Sequence, residues 1–210
     1  MKYLFLALLV SSFSASASAN SDLRDHILGG YQSGMKMVET ETGKVTKNGL
    51  YICDYKGVTE TTLLKMEQGH YTFHIKEESN VGCENRVDER ILYTTFDYLS
   101  IGVNKFFQDY IDDGLNPKFD TQTKVLEVTF KGKKYTNDLA DATTLEAMNA
   151  KLTNGGKSTT GDLVTVHGEI KYEEILNASA PTISQDIRIC DTALDSDPYD
   201  GITLDEEICR

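Results

Sequence analysis

The sequence predicts an α+β fold, mainly an antiparallel sheet with about three helices, held by two disulfide bonds. Segments in which apolar and polar residues alternate outnumber those with helical spacing, and four cysteines follow an N-terminal segment of secretory character. Alternation at period two is typical of strands with one buried face, whereas apolar residues three and four apart indicate helices. Because short turns separate these segments, we expect a single domain over residues 20–210.

The N-terminal segment, residues 1–19, predicts a cleavable signal peptide. Lys2 precedes an apolar run over residues 3–10, and small residues end the segment at 17–19. This order of charge, apolar run and small residues is that of a secretory signal. We therefore expect a secreted or periplasmic protein. No later segment approaches the ~20 apolar residues of a membrane-spanning helix, so no stable membrane insertion is expected.

The four cysteines, Cys53, Cys83, Cys190 and Cys209, predict two disulfide bonds. An even number of cysteines behind a signal peptide indicates disulfide bonding in an oxidising compartment. Three pairings are open. We favour Cys53–Cys83 with Cys190–Cys209, because shorter loops close at lower entropic cost. The alternative is a zinc site, but no two of these cysteines have the Cys-x-x-Cys spacing of such sites.

Residues 21–39 form the first predicted helix. Apolar residues recur there at helical spacing, namely Leu23, Ile27, Leu28, Tyr31, Met35 and Val38. Gly29, Gly30 and Gly34 weaken the helix propensity of the segment and would let another backbone approach closely. We expect a helix that packs against the core.

The following segments predict strands. "KNGLYICDY" begins a strand after an Asn-Gly turn, and "TTLLKM" and "YTFHIKEE" flank "EQGH" as a hairpin would. Such runs, bounded by turn residues, are typical of antiparallel strands. "RILYTTFDYLSI" predicts a further strand, or two strands with a bend.

The second and third predicted helices alternate with the remaining strands. "VNKFFQDYIDDGLNP" has an apolar stripe typical of an amphipathic helix, formed by Val103, Phe106, Phe107, Tyr110 and Ile111. "KVLEVTF" then predicts a strand, and "KGKK" a turn. In "TTLEAMNAKLTNGG", Thr143 and Glu146 fit a capping box at the start of a helix. "DLVTVHGEIKYEEI" and "TISQDIRIC" predict two more strands.

The net charge of the chain limits the classes of partner that it is expected to bind. With 21 basic and 33 acidic residues, its net charge is −12. Binding to nucleic acid needs clustered Lys and Arg to neutralise phosphates, so no nucleic-acid partner is expected. The partner that we expect is a protein or small ligand of unknown identity.

No local motif predicts a catalytic centre or an organic cofactor. "GYQSGM" has the wrong spacing for a serine nucleophile, and "NGGKSTTG" lacks the first glycine of a phosphate-binding loop. His70 and His74 would lie ~13 Å apart along a strand, too far to share a metal ion. We expect one of them in a turn and the other on a solvated strand face. Paired carboxylates remain open, because 33 acidic residues make any one pair uninformative.

The segment 190–209 predicts an acidic loop that a disulfide closes. Its candidate calcium ligands flank Gly201, and they are Asp195, Asp197, Asp200, Glu206 and Glu207. Carboxylate oxygens around a tight turn suit calcium. The Asp-x-Asp start and the Asp-Gly-Ile-Thr middle resemble an EF-hand calcium loop, but one residue too many precedes the glycine. An irregular calcium loop and a solvated acidic hairpin therefore both remain open.

These observations favour a non-catalytic binding or interaction protein that binds calcium weakly through this loop. Two alternatives remain: an extracytoplasmic hydrolase with a carboxylate-based site, and a secreted inhibitor or effector of another protein. A pocket with converging carboxylates and a histidine would favour the enzyme. An exposed aromatic patch or an unpaired sheet edge would favour a binding module.

Overall fold

The computed structural model describes residues 21–80, 83–153, 157–160, 162–192, 194–197, 201–204 and 208–210. The predicted signal peptide, residues 1–19, lies outside this described part. Within it, no helix combines the length and the apolar character needed to cross a membrane.

Three helices and thirteen strands make up the described chain. The helices are α1 (21–28), α2 (Phe96–Asp112) and α3 (Leu145–Thr153). The first strands are β1 (Lys36–Lys47), β2 (Leu50–Glu67), β3 (His70–Ser79), β4 (Arg86–Thr95), β5 (Lys118–Asp120), β6 (Val125–Phe130) and β7 (Lys133–Asp138). The later strands are β8 (Lys157–Thr160), β9 (Leu163–Ile175), β10 (Arg188–Asp191), β11 (Leu194–Asp197), β12 (Gly201–Leu204) and β13 (Ile208–Cys209).

The chain divides into two compact units. The small unit comprises the described part of Met1–Gly30 together with Ser100–Leu145, and the sheet unit comprises Tyr31–Leu99 with Glu146–Arg210. In the small unit, β5, β6 and β7 form a three-stranded antiparallel sheet. Leu126 on its central strand is fully buried.

The sheet unit is built on eight strands in the order β13-β10-β4-β3-β2-β1-β9-β8. Neighbouring strands run antiparallel, except that β10 pairs with β4 in parallel. The predicted α+β fold with a mainly antiparallel sheet, three helices and two disulfide bonds is thus confirmed.

Two tight turns set the register of the long strands. Asn48 and Gly49 have φ values of 52° and 78° between β1 and β2, and Gln68 and Gly69 have 51° and 78° between β2 and β3. Two consecutive residues with positive φ form the turn whose twist matches that of a β-hairpin. Both predicted hairpin turns are therefore confirmed.

The first predicted helix is too long. Residues 21–28 are helical, but β1 begins at Lys36, so the expected helix over residues 36–39 is wrong. Gly34 adopts a φ of 81°, which ends any helical continuation. Beyond it, Met37 and Val45 are buried on one face of a strand, so a period of two overrides the helical spacing.

The segment over residues 90–101, predicted as one strand or as two strands with a bend, changes from strand to helix in its middle. Strand β4 ends at Thr95 and helix α2 begins at Phe96. The backbone N–H of Tyr98 donates to Oγ1 of Thr95 over 3.2 Å, which caps the helix. The negative charge of Asp97 in the first turn interacts favourably with the positive end of the helix dipole. The segment is rich in β-branched and aromatic residues, which are typical of strands, so the sequence did not predict where the helix begins.

The favoured disulfide pairing is confirmed. Cys53 bonds to Cys83, with their Cα atoms 6.0 Å apart, and Cys190 bonds to Cys209. The second bond joins residues that lie directly opposite each other on β10 and β13. It therefore ties the end of the chain to the edge of the eight-stranded sheet.

Candidate functional site

One face of the eight-stranded sheet and helix α3 enclose a cavity of about 470 Å³. We call it the acidic cavity. The described residues that line it are Met37, Glu39, Thr59, Thr61, Glu146, Asn149 and Tyr172. They include two carboxylates and no Lys, Arg or His.

Strand register explains why distant residues share this face. Met37 lies opposite Thr61, and Glu39 lies between Thr59 on β2 and Tyr172 on β9. Residues directly opposite in antiparallel strands project to the same side, and so do alternate residues along a strand. Five positions on three strands are thereby gathered on one side of the sheet.

Helix α3 supplies the remaining wall. Glu146 and Asn149 are three residues apart, so they project from the same side of the helix. Thr143 and Glu146 fitted a capping box, but the helix begins at Leu145, one residue later than that box implies. The carboxylate of Glu146 instead has a partner from another part of the chain.

That partner is Tyr31, whose hydroxyl donates a 2.7 Å hydrogen bond to Oε2 of Glu146. Tyr31 is only 4% exposed, and its ring stands edge-on to Tyr71 and Phe73. Its orientation is therefore fixed by the core. The hydrogen bond positions one carboxylate oxygen at the cavity wall.

Burial raises the pKa of Glu146, and the negative charge of Glu174 adds to this, while the Tyr31 hydroxyl acts in the opposite direction. Burial also raises the pKa of Glu39, followed by the charges of Glu41 and Glu146, while the charge of His167 acts in the opposite direction. Each carboxylate is thus harder to ionise than it would be in water. The site can accept hydrogen bonds and compensate positive charge.

A second group of polar side chains lies next to the cavity on the same face. We call Tyr55, Glu41 and His167 the Glu41 cluster. Nδ1 of His167 pairs with Oε1 of Glu41, and Glu41 is only 8% exposed. The ring of Tyr55 stands edge-on to that of His167, with centroids 6.0 Å apart.

The Tyr55 side chain also feels the charge of the Glu41 carboxylate. Burial raises the pKa of Tyr55 to about 12, and the charge of Glu41 contributes in the same direction. The register between β1 and β9 shifts between Glu41 and Gly43, which brings His167 opposite Gly43. Bulges of this kind re-aim side chains and often lie beside functional sites.

On the other face of the sheet, a histidine is paired with a glutamate. His74 is 4% exposed, and its Nε2 lies 2.7 Å from Oε1 of Glu89. Hydrogen bonds from His74 and then from Ser184 lower the pKa of Glu89. The expectation that this histidine lies on a solvated face is therefore wrong. The alternation of Tyr71, Phe73 and Ile75 predicted one buried face of the strand, and nothing in the sequence predicted that the opposite face, which carries His74, would be buried as well.

The predicted calcium ligands fall only partly within the described residues. Asp195 and Asp197 lie on β11, which pairs with β12 so that Asp197 is opposite Gly201. Asp200, Glu206 and Glu207 lie outside the described part. Among the residues that are described, no three His, Cys, Asp or Glu side chains are grouped to hold a metal ion. The calcium site stays a prediction.

Sequence reasoning missed the acidic cavity altogether. Glu39 fell in the predicted first helix, and Glu146 in a capping box. The signal that could have located Glu39 is the alternation of buried positions that runs from Met37 to Val45 through Glu41. Nothing local to either glutamate predicts that they would line one cavity.

Comparison with known proteins does not assign the chain to a family. No protein-family model matches the chain, and no curated protein matches it in sequence.

Proposed function

We propose that this is a binding protein whose acidic cavity takes a small organic cation. The observation that carries the proposal is that two carboxylates with raised pKa line one cavity whose described lining has no basic residue. The function is that of a non-catalytic binding protein, and its ligand carries an ammonium group.

The energetics favour a cationic ligand. Burying a carboxylate away from water without a cation is unfavourable, and two of them in one cavity repel each other. A bound ammonium group compensates the carboxylate that it contacts and weakens the repulsion between the two. Part of the free energy lost on folding is then recovered on binding.

The walls suit an organic ion better than a bare metal ion. Met37 and the ring of Tyr172 give the cavity apolar surface beside its carboxylates. Small-ligand sites typically have about 300–1,000 Å³, mostly apolar walls and a few polar groups that fix orientation. The face of an aromatic ring also attracts ammonium groups.

Calorimetric titration tests this proposal. We expect 1-aminobutane to bind at pH 7 and its neutral analogue 1-butanol not to bind. Binding should weaken in Glu39→Gln and Glu146→Gln and persist in Glu173→Gln. Glu173 is the matched control, because it is exposed and pairs with Val38, one position away from the cavity face. No binding of either a monoamine or a diamine at millimolar concentration would refute the proposal.

The proposed location is outside the cytoplasm. Two disulfide bonds connect all four cysteines of the chain. Such bonds persist in secreted and periplasmic proteins and are rare in the cytosol. N-terminal sequencing of the protein recovered from its native host would test the proposed cleavage after residue 19.

A second candidate function is hydrolysis with a carboxylate-based site. The Glu41 cluster supports it, because a carboxylate that holds an imidazole lies two residues from Glu39, whose pKa is raised. Pairs of acids in unequal environments are typical of acid–base catalysis. Fluorogenic glycosides and esters would test it. Turnover that Glu41→Gln abolishes supports hydrolysis, and equal background rates in both proteins contradict it.

The calcium proposal for the loop 190–209 rests on its acidic residues and its closing disulfide bond. A disulfide restricts the loop, which reduces the entropy lost on binding an ion. Thermal melts with calcium and with a chelator test it. A melting temperature that is equal in both, with no binding heat at millimolar calcium, would refute this proposal.

A further inference from the structure

We infer that the ligand of the acidic cavity is a linear dication, with one ammonium group at Glu39 and the other at Glu146. This inference rests on the proposed function and narrows its ligand class to an α,ω-diamine or a longer polyamine. It follows from the placement of the two carboxylates and from the surface between them.

The two carboxylates belong to different walls. Glu39 projects from β1 of the sheet, whereas Glu146 projects from α3, and both line the same cavity. The Glu146 carboxylate is held by the buried Tyr31 hydroxyl, so one anchor point is fixed in position. A ligand with a charge at each end can engage both walls.

The charge balance favours two positive charges. In the described part of the chain, neither Glu39 nor Glu146 makes an ion pair, and the charge of Glu146 contributes to the raised pKa of Glu39. A single ammonium group at one carboxylate would leave the other desolvated and uncompensated. Two ammonium groups neutralise both and remove their mutual repulsion.

The remaining lining fits a hydrocarbon chain between two charged ends. Met37 and the ring of Tyr172 are apolar surfaces along which methylene groups can pack, and Asn149, Thr59 and Thr61 offer polar atoms around them. Burying methylene groups against these surfaces is favourable, so the chain would add affinity of its own.

A matched pair of ligands tests the inference by calorimetry at pH 7 and low salt. The pair is 1,4-diaminobutane and 4-amino-1-butanol, which differ only in the second ammonium group. We expect the diamine to bind at least about tenfold more tightly. The series from 1,3-diaminopropane to 1,6-diaminohexane should show an optimum length, because the diamine must reach from the Glu146 carboxylate, which Tyr31 holds in place, to Glu39 on the other wall.

Three variants locate the two ends. In Glu39→Gln and in Glu146→Gln the advantage of the diamine over the amino alcohol should fall to less than about threefold, since only one anchor remains. The Glu173→Gln variant should bind the diamine more tightly than the amino alcohol by the same factor as the wild-type protein. Circular dichroism melts check that each variant is folded, and Glu39→Gln suffices if Glu146→Gln is not.

The outcomes separate the inference from the proposed function. If the diamine and the amino alcohol bind equally well, the dication is refuted and a monocation site stands. An advantage that survives in a folded Glu39→Gln variant also refutes the dication. If no amine binds at all, the proposed function fails as well.

Discussion

Glu39 and Glu41 stand two residues apart on the same face of strand β1, yet their surroundings differ. Glu41 has an imidazole partner in His167, and its charge raises the pKa of the neighbouring Tyr55. Glu39 makes no ion pair in the described part of the chain, and it lines a cavity whose described walls carry no cation. One carboxylate is in direct contact with the imidazole, and the other feels that imidazole only at a distance.

This difference indicates a stabilising role for Glu41 and a ligand-binding role for Glu39. A buried carboxylate with good partners is retained because removing either partner leaves an unsatisfied polar group. A partly buried carboxylate without a cation lowers stability and is kept more readily where a ligand compensates it. Natural proteins commonly retain such destabilising groups at functional sites. The contrast between the two positions can be tested by substituting each in turn.

The largest effect is expected from His167→Leu. This change leaves Glu41 buried without its imidazole partner, so the free energy of unfolding should fall by about 2–3 kcal/mol. Urea unfolding followed by circular dichroism measures it. The control is His70→Leu, because His70 is exposed at the start of β3 and should change stability little. Equal losses in the two variants would contradict a stabilising role of the Glu41 cluster.

A smaller loss is expected from Tyr55→Phe. The substitution removes the half-buried hydroxyl near Glu41 and keeps the ring against His167, so the loss should be about 1 kcal/mol. The raised pKa of Tyr55 stabilises the folded protein fully below pH 10, and this contribution is lost as the pH rises through about 12. The variant should therefore approach wild-type stability in that range. Ultraviolet titration should also show one fewer tyrosine that ionises near pH 12.

The smallest effect has the opposite sign and is expected from Glu39→Gln. A carboxyl whose folded pKa is raised stabilises the folded state fully below its unfolded value of 4.5 and loses this contribution as pH rises through the folded value. At pH 7 the variant lacks the buried charge, so its melting temperature should rise by about 2 °C. At pH 4 the difference should vanish. A lower melting temperature at pH 7 would show that Glu39 is compensated after all.

Local patterns predicted most of the strands and both disulfide bonds. The Asn-Gly turn, the alternation in "YTFHIKEE" and the order of the cysteines act over short distances, where chain geometry leaves few alternatives. The first helix was overextended and the start of α2 was missed. In both places tertiary contacts outweighed the local propensity, because the energetic differences between helix and strand are small for isolated segments.

The sequence by itself determined the fold class and the excess of negative charge, since each depends on composition or on local spacing, and it favoured one of three cysteine pairings without deciding among them. Only the tertiary structure decided which carboxylates matter. Glu39 and Glu146 are more than a hundred positions apart, and the register of β1 with β2 and β9 places one of them opposite the helix that carries the other. Their raised pKa values are produced mainly by burial, to which Glu41 and Glu146 add at Glu39 and Glu174 adds at Glu146, and these effects exist only once the strands and the helix have assembled.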